Sequence, residues 1–388
     1  MRKKFSGSVI TQVDQIIQHA IELGASDIHL EPFETQYRLR YRIDGVLQEM
    51  AVLQMNQKEA IISRLKIMAE LDIAEKRRPQ DGRIKIRAAK GSDIDLRVST
   101  LPTQYGEKIV MRILDKGSLE LKLETLGFSE EELTTFRKEI SNPYGMILVT
   151  GPTGSGKTTT LYSALNEINS TDVNITTIED PIEYNLEGIN QTQVHEEIDL
   201  TFVNILRAIL RQDPNIIMVG EIRDRETAEI AIRAALTGHL VFSTLHTNDA
   251  ASAVSRLVEM GIEPFLVSSS VRLVIAQRLV RKVCMHCKKE YSPDKAILKE
   301  LNISEGQLLY KGEGCDECNQ TGYRGRTALI ELLKIDDAIS NKISQQANAS
   351  EIKSSAVLSG MKTLREMGIE KLKQGLTTVE EVYRETSQ

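Results

Sequence analysis

The hydrophobic positions of this chain change their spacing as the sequence proceeds. Over Val9–Leu23 the apolar residues recur at helical intervals, with Val13, Ile16, Ile17 and Ala20 on one face. Thr11, Gln12, Asp14, Gln15, Gln18 and Glu22 break the run, which predicts an amphipathic helix. Period-two alternation follows. Asp27–Leu30 and Tyr37–Ile43 predict strands, and the second alternates Tyr37, Leu39, Tyr41 and Ile43. Asp44-Gly45 supplies a turn into Val46–Met50, as a hairpin requires. A helix is expected around Gln57–Ala69, and alternation returns at Ile84/Ile86, Ile94/Leu96/Val98 and Ile109–Ile113. Residues 1–112 are therefore expected to form a small α+β domain, followed by a polar linker at 113–122 that contains Gly117.

From residue 123 the pattern becomes one of short, fully apolar strands alternating with helices. Met146–Thr150, Ile175–Ile178, Ile216–Val219 and Leu240–Thr244 are the strands, and helices are expected near Thr158–Ile168, Phe202–Leu210 and Glu226–Leu236. Such alternation predicts an α/β domain with a mostly parallel sheet over 123–388. Residues 281–326 interrupt it with cysteines, glycines and charge, and are expected to form a small inserted subdomain. Residues 327–388, rich in Lys and Glu, predict a helical C-terminal segment.

Composition narrows the function classes. The 388 residues suffice for two or three domains. Lys+Arg 49 against Asp+Glu 55 gives a net charge of −6, which argues against a general polyanion binder. Trp is absent, so a base-stacking surface for single strands is not expected, and no nucleic acid is expected as a partner. Nowhere do about 18 apolar residues run uninterrupted, and the basic start Met1-Arg2-Lys3-Lys4 leads into the amphipathic helix and not into a signal peptide. The expected location is the cytoplasm.

The chemistry concentrates at a few places. An apolar strand runs into Gly151-Pro152-Thr153-Gly154-Ser155-Gly156-Lys157-Thr158, with Thr159 next and a helix beginning at its end. Glycines let successive N–H groups turn inward on phosphates, and the helix N-terminus adds partial positive charge. Lys157 is expected on the β- and γ-phosphates of ATP and the Thr158 hydroxyl on Mg²⁺. The flanking strand and helix argue against an accidental Gly-rich turn. A second apolar strand, Ile216–Val219, leads through Gly220 to Glu221, a candidate to activate the attacking water. Gly220 stands where a metal-holding Asp is usual. Glu179-Asp180-Pro181-Ile182-Glu183 follows another strand and is the candidate for the missing acidic shell. Either carboxylate alone reads as a solvated loop residue; together, at the C-terminal ends of parallel strands, they point to a ligand site. All four cysteines fall in two C-x-x-C pairs, Cys284/Cys287 and Cys315/Cys318. In a reducing compartment this spacing favours a closed, structural Cys₄ zinc site over disulfides, with His286 superfluous.

Thr150–Thr160, Thr176–Tyr184 and Ile209–Asp249 (ILRQDPNIIMVGEIRDRETAEIAIRAALTGHLVFSTLHTND) resemble the secretion ATPase superfamily, more narrowly its type II secretion and type IV pilus assembly ATPases. The resemblance extends from Ser26-Asp27-Ile28-His29-Leu30 nearly to the C-terminus. It implies a RecA-like P-loop domain preceded by a small α+β (PAS-like) domain, with an inserted C4 zinc subdomain. It also implies a homo-hexamer working with inner-membrane platform proteins, and so a peripheral place on the inner face of the cytoplasmic membrane. Thr176–Tyr184 matches the family's Asp box and Gly238–His246 its His box, where His246 is favoured over His239 as a γ-phosphate or neighbour contact. Arg97, Arg112, Arg207, Arg211, Arg223 and Arg256 are implied as interface or active-site arginines, although any one alone reads as a surface ion pair. Retraction ATPases generally lack the four cysteines, so these favour assembly or secretion over a retraction or DNA-uptake motor. Many members carry a further N-terminal domain; this chain begins almost directly in the α+β domain and reads as trimmed or as a short member. Two other classes compete. A nucleic-acid translocase is disfavoured by the acidic balance, and a non-hydrolysing scaffold by Lys157, Thr158, Glu179 and Glu221.

Overall fold

The computed structural model describes residues 5–87, 93–115, 121–304 and 306–387. The chain divides into two compact units, Met1–Leu119 and Glu120–Gln388.

The first unit contains helix α1 (Val9–Glu22) and strands β1 (Ala25–Pro32), β2 (Tyr37–Ile43) and β3 (Val46–Leu53), then helix α2 (Lys58–Met68) and strands β4 (Gln80–Arg87), β5 (Asp93–Thr103) and β6 (Gly106–Asp115). The six strands form one sheet in the order β3-β2-β1-β6-β5-β4, with every neighbouring pair antiparallel. Alternation puts Tyr37, Leu39, Tyr41 and Ile43 on the inner face, where they pack with Ile28, Leu30, Ile109 and Met111 of neighbouring strands. Val13, Ile16, Ile17 and Ala20 of α1 and Ile61, Ile62 and Leu65 of α2 close this core. The opposite face is polar, as antiparallel sheets with one covered side allow. Strand β6 continues to Asp115, into the segment expected as linker; of the rest of that segment, 116–120 lie outside the described residues.

The second unit is an α/β fold around a seven-stranded, mostly parallel sheet. Its elements begin with α3 (Glu130–Ile140), β7 (Gly145–Thr150), α4 (Lys157–Ile168), β8 (Ile175–Glu179) and β9 (Asn190–Gln193). They continue with α5 (Phe202–Ile209), β10 (Ile216–Val219), α6 (Arg225–Leu236), β11 (Leu240–Leu245), α7 (Ala250–Glu259), α8 (Pro264–Ser270) and β12 (Val271–Val283). A small lobe holds β13 (Lys288–Tyr291), α9 (Lys295–Glu300) and β14 (Leu309–Gly312). The chain then returns through β15 (Tyr323–Lys334) and ends in α10 (Asp337–Ser344), α11 (Ala349–Leu358), α12 (Leu364–Lys373) and α13 (Val379–Thr386). Sheet order is β15-β12-β7-β11-β10-β8-β9, with β15 alone antiparallel to its neighbour. Every residue of β7, β8, β10 and β11 is buried. Separate apolar clusters cover the two faces, which is why these strands read as continuous apolar runs and not as alternation.

The helices start where their caps dictate. Ser129, Asp224, Asp249 and Thr378 each accept a hydrogen bond from an N–H of the first turn of α3, α6, α7 and α13. Strands β12 and β15 reach into the segment expected as an insertion, at Val283 and Tyr323, so the lobe occupies only the residues between them. The charges Arg278, Arg281 and Lys282 mask β12 in the sequence, yet Val280 and Val283 are buried and Arg281 pairs with Glu381 at 2.7 Å.

A candidate nucleotide site and a four-cysteine cluster

Strand β7 delivers the chain to the sheet edge at Thr150, and α4 starts at Lys157. Two glycines of the intervening loop answer to one residue of β12. A Cβ on Gly151 would lie 2.4 Å from the Gln277 carbonyl oxygen, and one on Gly156 would lie 2.8 Å from the Gln277 Nε2. Their φ values, +146° and +91°, also favour glycine. The Gln277 Oε1 accepts from the Thr160 hydroxyl at 2.7 Å, so the same side chain grips the first turns of α4. Ser155 is buried and its hydroxyl oxygen has no partner. An orphaned buried hydroxyl inside a loop that ends on a helix N-terminus fits an anionic oxygen.

The Lys157 ammonium donates to the carbonyls of Gly151 at 2.8 Å and Pro152 at 3.1 Å. Burial pushes its pKa below the ordinary lysine value, against the pull of Glu221 and with a further push from Arg278. An ammonium so placed gains most from a nearby anion. Pro152, Thr153, Gly154 and Thr158 are exposed along the rim and Thr159 is half-buried; the Thr158 hydroxyl, in the first turn of α4, is the group that fits a metal accompanying phosphate.

Because β7, β11, β10 and β8 are consecutive and parallel, their C-terminal ends share one edge. Glu221 lies two residues beyond β10 and His246 one residue beyond β11. The His246 Nε2 is 3.3 Å from a Glu221 carboxylate oxygen, and the Arg223 guanidinium pairs with the other. Arg223 also approaches Asp180 at 3.8 Å. His239 is placed elsewhere: it precedes β11, at the opposite edge, where its Nδ1 lies 3.0 Å from the Ala234 carbonyl.

Glu179, the last residue of β8, is buried. Tyr162 of α4 and Thr177 donate to its carboxylate, Thr177 at 2.6 Å, and the Gln191 amide of β9 donates at 3.0 Å. Burial, then the Glu179 charge, holds the Tyr162 phenol well above its ordinary pKa, so it stays a donor. Glu179 is therefore a buried anchor that ties the phosphate-loop helix to β8 and β9, whereas Glu221 faces the rim. Nothing in the sequence marked Tyr162 or Gln191 as its partners. Gln277 and Arg278 were also missed; their only signal was a polar pair interrupting the apolar run Leu273–Val280.

Of the arginines implied in this unit, the structure brings Arg223 to Glu221. Arg207 pairs with Glu226 at 2.6 Å, Arg211 donates to the Arg207 carbonyl at 2.8 Å, and Arg256 approaches Glu259 at 3.7 Å. Arg97 and Arg112 belong to the first unit, directly opposite one another in the β5–β6 ladder. Arg42, Asp27, Arg112, Arg97 and Arg83 occupy one register line across β2, β1, β6, β5 and β4. Asp27 accepts from Arg112 at 3.1 Å.

The four cysteines come together as expected from their spacing. Cys284 and Cys318 are buried, Cys287 and Cys315 half-buried, and all four sulfurs lie within 4.8 Å of one another. Cys284–Cys315 and Cys287–Cys318 are 3.8 Å apart and Cys315–Cys318 3.6 Å. Tetrahedral coordination at about 2.3 Å separates sulfurs by about 3.8 Å, so the cluster fits one four-coordinate ion. The N–H groups of Gly314, Cys315 and Gly322 approach sulfur at 3.2 to 3.3 Å, which supports thiolates. His286 is exposed and outside the cluster.

A glycine-rich loop closing on a helix N-terminus, a carboxylate at the neighbouring strand end and a four-cysteine cluster, on a mostly parallel sheet, are the features of a P-loop ATPase. Comparison with known proteins agrees: residues 2–384 match the family model described as Type II/IV secretion system protein, and the chain belongs to that family. It is 52% identical over 384 residues to the type IV pilus assembly ATPase PilB of Myxococcus xanthus, covering 98% of this chain and 68% of that one. It is 50% identical over 382 residues to the type II secretion system ATPase E of Vibrio cholerae, covering 98% and 76%. Among solved structures it is similar to the pilus retraction motor PilT with bound ADP, with a TM-score of 0.64 at 30% identity over 96% of each chain. The fold is also that of the Legionella pneumophila ATPase DotB, with a TM-score of 0.72 over 98% of this chain and 96% of that one.

Proposed function

We propose that this chain is the motor subunit of a pilus-assembly or secretion machine, in which a homo-hexamer converts ATP hydrolysis into mechanical work on pilin-like or exported proteins. The observation that carries the reading is the meeting, at one sheet edge, of the phosphate loop, Glu221 and His246. Lys157 and the loop N–H groups would hold the phosphates, with the buried Ser155 hydroxyl as a further donor, and the Thr158 hydroxyl would hold Mg²⁺, which would supply positive charge to the phosphates. Glu221, oriented by Arg223 and His246, takes the proton of the attacking water. Glu179 keeps the loop's helix in register with β8. Arg97 and Arg112 are assigned to turnover in the assembled ring. The first unit, an antiparallel sheet with its helices on one face, supports the PAS-like reading, and the second the RecA-like one.

Zinc is the ion proposed for the cysteine cluster, in a structural role, since four protein ligands leave no open position. Identity near one half to assembly and secretion ATPases, against 30% to the retraction motor, favours the former pair. Recruitment to the inner face of the cytoplasmic membrane would run through platform proteins; among the described residues no helix is long and apolar enough to cross a membrane. The test is phosphate release by the purified protein beside its Glu221→Gln variant. The variant should keep ATP affinity and lose turnover by ~10²–10⁴; equal rates would move the base elsewhere.

A further inference from the structure

The loop His246-Thr247-Asn248-Asp249, between β11 and α7, sends each of its side chains or carbonyls to a different element. His246 meets Glu221 at 3.3 Å. The Thr247 hydroxyl and N–H meet the Thr150 hydroxyl, immediately before the phosphate loop, at 2.7 and 2.9 Å. The Asn248 carbonyl accepts from Arg278 of β12 at 2.8 Å. Asp249 caps α7 through Ser252 at 2.8 Å and accepts from Lys353 of α11 at 3.0 Å. The last of these contacts leads away from the site, into the C-terminal helices, to which no part of the chemistry has been assigned.

Lys353 stands between two carboxylates. Its ammonium is 3.0 Å from Asp249 and 3.7 Å from Glu331, a fully buried residue of β15. Glu331 accepts the N–H of Ala250, the first residue of α7, at 2.9 Å, and of Leu364, the first residue of α12, at 3.3 Å. Burial works against the Lys353 charge, but Glu331 and Asp249 outweigh it and raise its pKa, so the ammonium stays charged. It is thus the one cation, among the described contacts of this cluster, that lets two carboxylates lie together at the start of α7. Burial, with the Asp249 charge, raises the Glu331 pKa, and the Lys353 charge works against that rise. Without Lys353, Asp249 loses its ammonium partner beside a buried acid, and Asp249 is the fixed end of a four-residue loop whose other end is His246.

We propose that Lys353 is a positioning residue for hydrolysis: by neutralising Asp249 and Glu331 it holds the loop 246–249 so that His246 and Thr247 stay set against Glu221 and Thr150. The inference rests on the ATPase reading above and deepens it, because it makes the C-terminal helices part of the hydrolytic geometry. The described side-chain partners of Lys353 are Asp249 and Glu331, not Glu221 or the loop Gly151–Thr158, so its effect runs through the loop 246–249. ATP binding, which depends on Gly151–Thr158, is left in place.

The experiment compares kcat and ATP dissociation constant in the full chain for Lys353→Met, which keeps length and removes charge, Lys353→Arg, and Asp249→Asn, which keeps a good helix cap. Lys353→Met should lower kcat about tenfold with the dissociation constant held within about twofold. Lys353→Arg should restore kcat to within about threefold of wild type, since it also pairs with carboxylates. Asp249→Asn should lower kcat, and the Lys353→Met/Asp249→Asn double variant should be no worse than the poorer single, as expected of one coupled unit. If Lys353→Met fails to fold, Asp249→Asn and Lys353→Arg still decide. Wild-type kcat in Lys353→Met, equal losses of binding and kcat, or additive losses in the double variant would each overturn the proposal. A wild-type protein that releases no phosphate would instead overturn the ATPase reading on which it stands.

Discussion

In the first unit the sheet is antiparallel and helices cover one face; in the second it is mostly parallel and helices cover both. The first therefore has a polar face, and its charged residues are arranged across the strands: Arg42, Asp27, Arg112, Arg97 and Arg83 in one line. The second has no free face, so its chemistry is pushed to the ends of strands, where Gly151, Glu221 and His246 emerge from β7, β10 and β11. An edge site is built from residues far apart in sequence but fixed by a buried sheet. A face site is built from charged side chains set side by side across neighbouring strands. Edge residues should accordingly govern binding and chemistry steeply, and face residues should modulate them.

The largest difference is expected at the edge. Lys157→Ala removes a half-buried cation from the phosphate loop and should weaken ATP binding by ~10- to 100-fold, measured by titration with a fluorescent ATP analogue. Retained affinity would mean that the loop N–H groups suffice and that the edge is less steep than argued. On the face, Arg112→Ala and Arg97→Ala should lower turnover several-fold to about tenfold with little change in ATP affinity, as for an interaction made chiefly in the transition state. Activity per chain over a dilution series, with oligomeric state followed in parallel, isolates the contribution of assembly; a demonstrable monomer as active as any assembled form would remove these arginines from the chemistry.

The smallest effect concerns the same face. Burial alone would raise the Glu31 pKa, but hydrogen bonds and charge from Arg40 and Lys108 hold it down at about 2, below the unfolded value of 4.5. A lowered folded pKa stabilises above the unfolded pKa and fades as pH falls towards the folded one. Amides of β1 and β2 should therefore be better protected from exchange in wild type than in Glu31→Gln near pH 5, and the gap should close near pH 2 to 3. A gap independent of pH would show that Glu31 acts by packing and not by charge.

Much of this architecture was legible in the sequence. The face Val13, Ile16, Ile17 and Ala20 is the buried face of α1, and the four apolar runs of the second unit are its central strands. Period and burial coincide there, so pattern alone suffices. Strand β12 was not foreseen, because Arg278, Arg281 and Lys282 disguise a buried strand whose charges are met by Asn248 and Glu381, residues distant in sequence. At the site, the phosphate loop and the cysteine pairs are local motifs and were readable as such. Glu179 was read as part of an acidic shell, while the structure commits its carboxylate to Tyr162, Thr177 and Gln191. A carboxylate's accessibility depends on tertiary neighbours that no local pattern encodes. The Lys353 contact spans 104 residues and belongs to the same class of hidden fact.

Strand β12 pairs with β7 on one side and β15 on the other, and it leads from Gln277, beside the glycine-rich loop, through a register shift between Arg281 and Val283, to Cys284 of the four-cysteine cluster. A one-residue slip in such a ladder would turn every side chain to the opposite face, taking Gln277 from Gly156 and Arg278 from Asn248 together. The stretch from Leu273 to Arg281 therefore behaves like a keyed shaft whose length cannot drift, whereas the lobe between Val283 and Tyr323 hangs beyond the last tooth. Insertions and deletions accumulated over the lineage should be admitted in that lobe and refused along the shaft, so chain length itself carries a record of which part of the molecule is indexed to the nucleotide and which is free to diverge.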